Sequence, residues 1–217
     1  MQIHELLDRL ELISPNNTFF TDLRKTILNN DQFALFRLLQ QQTSSQLVEG
    51  LRKYKDNTEF NADCFSRGQL ESKLWLVKEL QKTKVDLGTV FLCAGWYATL
   101  ATMLFESSIT VDKIRSFDID DTCRDIAETF NKPWVKDNWK FKSSTKDIMD
   151  INYEFERYEV IRADGTTCPL DDTPDTIINT SCEHIENFEE WYAKIPVGKL
   201  VILQSNNFFD VDEHVNC

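Results

Sequence analysis

Three groups of residues in this chain could do chemistry. The first is a lone glycine, Gly95, placed just after the apolar run Val90 to Cys93 and before an apolar stretch of helical length that reaches Phe105. The second is the acidic pair Asp118 and Asp120, closing the next short apolar segment, with Asp118 lying 23 residues beyond the glycine. A glycine lets backbone approach a ligand where no Cβ intervenes, and an acid at the tip of the following strand accepts hydrogen bonds from ribose hydroxyls. This spacing therefore has the layout of a nucleoside-binding βαβ unit. The third group is Cys182-Glu183-His184, directly after a strand read over 175–180. An imidazole or carboxylate at that point could take the proton of a hydroxyl or an ammonium acceptor. Of the three histidines, His4 falls in a helical start and His214 in a tail, which leaves His184 as the catalytic candidate.

Each group also has a plainer reading. Gly95 suits an ordinary strand-to-helix turn needing positive φ. Asp118 could cap the helix that begins near Asp121, and Glu183 could cap the helix after it. Trp96 and Tyr97 read best as packing between the sheet and a helical layer.

The elements that must position these groups fall into two parts. Residues 1–84 read as a helical region. Ile3, Leu6, Leu7 and Leu10 recur at helical spacing, as do Leu23 and Ile27, and then Phe33 to Leu39 behind a start at Asn30-Asp31. Ser66 and Gln69 fit a capping box ahead of Leu70, Leu74, Leu76, Val77 and Leu80. From 85 to 217 the pattern alternates. Strands are expected near 89–94, 113–118, 139–143, 175–180 and 199–205, and helices near 97–107, 121–131 and 187–194. That rhythm argues for an α/β, doubly wound, mostly parallel sheet with an N-terminal helical cap. Residues 158–170 break it, with Ala163-Asp164-Gly165 reading as the turn of an inserted β-hairpin. The sheet reads as curtailed after its fifth strand. Phe208, Phe209 and Val211 would leave an apolar tail there, which favours a fragment of a longer chain.

Composition narrows the function. A formal net charge of −12 over 217 residues argues against a protein that grips phosphate backbones. Six cysteines lie far apart, with no C-x-x-C and no histidine at metal-ligand spacing, so the sequence assigns no metal and points to a reducing, cytoplasmic setting. No apolar run approaches membrane-spanning length.

Over about 89–205 the chain resembles the class I S-adenosylmethionine-dependent methyltransferases. The resemblance rests on the loop Cys93-Ala94-Gly95-Trp96-Tyr97-Ala98, the acid in Phe117-Asp118-Ile119-Asp120, the polar segment Ser144-Thr145-Lys146-Asp147 and the strand end Ile178 to His184. It implies S-adenosylmethionine as cofactor, with Gly95 under its methionine portion, Asp118 (or Asp120) on the ribose and Asp147 near the adenine. The acceptor would sit beside Glu183 and His184, and Arg67 is a candidate for the cofactor carboxylate. The departure from the family is the glycine loop, which carries Gly95 alone. The fourth strand lacks the Asn/Asp-Pro-Pro-aromatic signature of adenine-amino methyltransferases. With the acidic charge, this turns the expected acceptor toward a small molecule first and a protein side chain second. Two alternatives stay open: an aminocarboxypropyl transferase similar to nicotianamine synthase, and a non-catalytic methyltransferase-like module.

Overall fold

A computed structural model describes residues 18–29, 50, 53–54, 60–162, 164–206 and 214–215. The expected periodic helices at 3–10 and 33–39, the loop at 55–58, His4, Phe208-Phe209, Val211 and Cys217 lie outside the described residues. By contacts the chain divides into two units, Met1–Tyr54 and Lys55–Cys217. In the first, helix α1 spans Thr18–Leu28, with Thr26 returning its hydroxyl to the Asp22 carbonyl.

In the second unit a 3₁₀ turn, Ala62–Phe65, leads into helix α2, Arg67–Thr83. Ser66 caps it, its hydroxyl accepting from the Gln69 amide at 3.4 Å, and Lys84 ends it in the left-handed region at φ 54°. Only half of the expected capping box forms, because the Gln69 side chain accepts from Lys73. Leu76, Val77 and Leu80 form the buried stripe, whereas Leu74 falls off it and is exposed. Helix α2 packs against the first helix of the α/β region and belongs to the same contact unit as the sheet. The division by contacts thus falls at residue 54, ahead of the boundary at 84 read from the change in hydrophobic pattern, because α2 buries its apolar face in the α/β region.

The sheet has five parallel strands: β1 (Thr89–Cys93), β2 (Lys113–Asp118), β3 (Phe141–Thr145), β6 (Thr176–Asn179) and β7 (Leu200–Leu203), in the order β3-β2-β1-β6-β7. Helices α3 (Thr99–Glu106), α4 (Cys123–Phe130), α5 (Lys132–Lys136) and α6 (Phe188–Ala193) lie between them. The order reverses between β1 and β6, and open α/β sheets bind ligands in the crevice at such a switch point. Phe91, Cys93, Phe117 and Ile177 on one face join Ile151, Tyr153 and Trp191 in a buried cluster. Val90, Leu92 and Ile114 on the other face are equally buried. Burial on both faces is why the central strands β1 and β6 read as apolar runs.

The expected hairpin is present as β4 (Glu156–Ile161) and β5 (Thr167–Asp172), a separate antiparallel pair. It replaces a crossover helix and brings its own polar hub. Arg115, buried in β2, donates to Asp172 at 2.6 Å and to the Trp139 carbonyl at 2.7 Å. Asp172 also accepts from Lys113 and the Tyr158 hydroxyl, each at 3.0 Å. A guanidinium inside the sheet face needs such full pairing, since an isolated buried charge is costly. Strand β3 begins two residues later than the sequence suggested. The chain first makes α5 and then left-handed turns at Asn138 and Trp139.

Candidate functional site at the carboxyl rim of the sheet

The loop after β1 is held in an unusual conformation. Ala94, Trp96 and Ala98 all adopt left-handed backbone, at φ 49°, 50° and 51°, whereas Gly95 does not. Such a conformation costs an L-residue about 1–2 kcal/mol, so the loop carries a few kcal/mol of strain at the mouth of the switch point. The plainer reading, in which Gly95 supplies the positive φ of the turn, is therefore corrected. A Cβ at position 95 would run into the Ser116 hydroxyl of β2 and crowd the Leu92 side chain at 3.3 Å. The bare backbone there accommodates the protein's own next strand. Tyr97 is buried, stacked between Trp96 at 5.0 Å and Phe60 at 5.3 Å, and its hydroxyl accepts from the Asn61 amide at 3.2 Å.

Asp118 fastens this loop. One carboxylate oxygen accepts from the Trp96 amide at 2.7 Å and the other from the Asp120 amide at 3.1 Å. Burial raises its pKa above the usual carboxylate range, opposed by those same amides. An ionised carboxylate has about four lone-pair sites, so two backbone donors leave acceptor capacity for a ligand hydroxyl. Asp120 is exposed and ties its own turn instead, accepting from the Thr122 hydroxyl at 2.7 Å and amide at 2.9 Å; these bonds pull its pKa down. Of the two acids, Asp118 is the one joined to the β1 loop. Asp147 lies two residues past β3, half-buried, where it caps the 3₁₀ turn Ile148–Asp150 through the Met149 amide at 2.8 Å. Arg67 is solvent-exposed and its guanidinium is held by Glu71 at 2.7 Å in an i,i+4 surface pair. That placement gives no support to its expected part in binding a cofactor carboxylate.

The loop after β6 starts level with the β1 loop, because Cys93 and Asn179 are paired across the sheet. Asn179 is buried, its side-chain oxygen accepting from the Ser181 amide at 2.8 Å, and its side-chain nitrogen has no partner among the described residues. The 3₁₀ turn Cys182–His184 follows. Glu183 is buried, and its Oε1 accepts from Asn206 at 2.6 Å while Oε2 has no partner among the described residues. The exposed His184 places Nε2 3.9 Å from Glu183 Oε1. Its ring meets that of His214 edge-on, with centroids 4.7 Å apart. The sequence reading set His214 aside, and no local spacing could have paired it with a histidine 30 residues earlier. Lys73 of α2 was also missed. Burial lowers its pKa, against the pull of Cys64, Asp63 and Glu183. At the same rim a cleft of about 680 Å³ opens beside Cys182, Phe188, Leu203 and Gln204, without reaching Gly95 or Asp118.

The strand order, the switch point and an acid joined to the first loop can be set against known proteins. No family model matches the chain, and no curated protein matches it. Solved structures do. The small RNA methyltransferase HEN1 superimposes with a TM-score of 0.50 at 11% identity, over 74% of this chain and 21% of that one. An S-adenosylmethionine-dependent methyltransferase from Clostridium acetobutylicum gives 0.43 at 12% identity, over 65% and 53% of the two chains. A putative enzyme of the same kind from Methanococcus maripaludis gives 0.42 at 14%, over 60% and 51%. The strand order and the superposition on HEN1 give the chain a class I methyltransferase-like fold. The chain spans about half the length of several of the structures it matches. No helix among the described residues is long and apolar enough to cross a membrane.

Proposed function

We propose that this protein is a methyltransferase that binds S-adenosylmethionine at the β1–β6 switch point and methylates a small molecule or, second, a protein side chain. The observation that carries this reading is the direct hydrogen bond from the Trp96 amide to Asp118, which brings the first-strand loop and the second-strand acid together at the switch point. The fit to the cofactor rests on the spare acceptor capacity of Asp118 and on the unpartnered buried nitrogen of Asn179 at the paired strand end. When bound, the cofactor would supply an electrophilic methyl on a sulfonium. The chain's part is to hold ribose hydroxyls at Asp118, to orient an acceptor at the loop 180–184, and to take up its proton there. His184, beside Glu183, is the group for that last task.

Calorimetry and thermal shift with S-adenosylmethionine test the binding; the absence of heat and of stabilisation at millimolar cofactor would favour the non-catalytic module. Product analysis tests the reaction. S-adenosylhomocysteine supports methyl transfer, whereas methylthioadenosine would move the protein to the aminocarboxypropyl transferases.

A further inference from the structure

We infer that Glu183, His184 and His214 form a binding site for one divalent first-row transition ion at the carboxyl rim of β6. One donor atom from each of the three lies within 4.8 Å of the others. An ion bonded at about 2.1 Å needs its donors roughly 3–3.5 Å apart, so side-chain rotation of about an ångström closes the set. The surroundings are already arranged for it. Glu183 is only 6% exposed, yet its Oε2 has no hydrogen-bond partner among the described residues. Its other oxygen is fixed by Asn206 at 2.6 Å, the kind of outer contact that orients a ligating carboxylate. The Val215 amide donates to the Glu183 carbonyl at 2.8 Å, which anchors the His214 segment against the turn that carries the other two ligands. His184 stands 3.9 Å from the Glu183 carboxylate, too far for a hydrogen bond.

The donor set selects the ion. Two imidazoles and one carboxylate suit Mn²⁺, Fe²⁺ or Zn²⁺, while Mg²⁺ and Ca²⁺ prefer oxygen ligands throughout. Three protein ligands leave positions open for an oxygen of a second molecule. The role of the ion rests on the methyl-transfer reading: it would hold a hydroxyl-bearing acceptor at the switch point and lower the pKa of that hydroxyl. With the ion bound, His184 orients the acceptor through the metal; without it, His184 is the base described above. The occupancy of the site does not depend on that reading.

The probe is Mn²⁺, which thiols bind weakly, added to the chelator-stripped full chain and followed by loss of the free-ion paramagnetic resonance signal and by native mass spectrometry. One ion per chain is expected. His214→Ala should weaken binding on the order of tenfold or more, as should Glu183→Gln, with Asn206→Ala giving a smaller loss. Asp118→Ala should leave it unchanged. Absence of binding by the wild-type chain, or full binding by a folded His214→Ala, overturns the site. Cofactor stabilisation is read in the same samples. Cofactor binding without Mn²⁺ refutes the metal site alone. Mn²⁺ binding without cofactor binding upholds the site and refutes its part in methyl transfer.

Discussion

The two halves of the carboxyl rim are built on opposite principles. Around β1 and β2 the polar groups that define the site are bonded to one another, with acceptor capacity left over on Asp118: its carboxylate takes two backbone amides, and Tyr97 is stacked and hydrogen-bonded. Around β6 and β7 the groups are gathered but incompletely satisfied, with Asn179 Nδ2 and Glu183 Oε2 lacking partners among the described residues and two imidazoles converging. The first half is a preformed frame stabilised by internal bonds, while the second keeps buried polar atoms at a cost normally offset by something that binds.

The strongest way to break this contrast is at the second half. His184→Ala should lower turnover about a hundredfold or more while leaving cofactor affinity intact, as expected for a residue on the acceptor side. Single-turnover kinetics beside calorimetry would show it, and loss of folding would mark the histidine as structural. In the first half, Asp118→Ala should weaken cofactor binding by about 1–3 kcal/mol and also lower the melting temperature, because the Trp96 amide loses its acceptor. Unchanged affinity would move the ribose contact elsewhere.

Gly95→Ala should destabilise the fold by about 1–3 kcal/mol through overpacking against Ser116, measured by denaturant unfolding. Adding Ser116→Ala should recover much of the loss, since the Ser116 hydroxyl has no partner among the described residues and its removal frees the space. A smaller gain is expected from Ala94→Gly, up to roughly 1 kcal/mol, because glycine occupies the left-handed region without strain. No gain would mean the loop relaxes at no cost.

Thiol chemistry sharpens the same comparison at the smallest scale. Burial pushes Cys64, Cys93 and Cys123 up to about 12 and Cys182 to about 11. A thiol whose pKa is raised by folding keeps its proton to higher pH than in the unfolded chain. The native state is therefore penalised as pH climbs from the ordinary value of 9.0 toward these values. At pH 8, Cys168 should alkylate first among the described cysteines, and on raising the pH Cys182 should follow before Cys93 and Cys123. Peptide mass spectrometry reads the order.

Much of the frame was legible in the sequence. Strands buried on both faces announce themselves as the apolar residues at 90–93 and 177–178, and Asp164-Gly165 marked the hairpin turn. The position of Asp118 followed from the close of the second apolar segment and its spacing from Gly95. What stayed hidden was of two kinds. Alanine and tryptophan give no local sign of left-handed backbone, so Ala94, Trp96 and Ala98 looked ordinary, and the positive φ of the plainer reading of Gly95 falls on its neighbours. Long-range convergence was equally silent. Arg67 offered the right chemistry but sits in a surface pair, and His214 offered none until the chain returned it to His184.

The buried Arg115–Asp172 pair has a bearing on how the protein is made. The arginine enters the sheet 57 residues before the acid that neutralises it. A chain emerging from the ribosome holds β1, β2 and β3 with that guanidinium still hydrated, and this face cannot dry until the hairpin has been translated. Completion of the sheet is thereby tied to synthesis of the segment leading into β6, so the rim matures only when both of its halves exist.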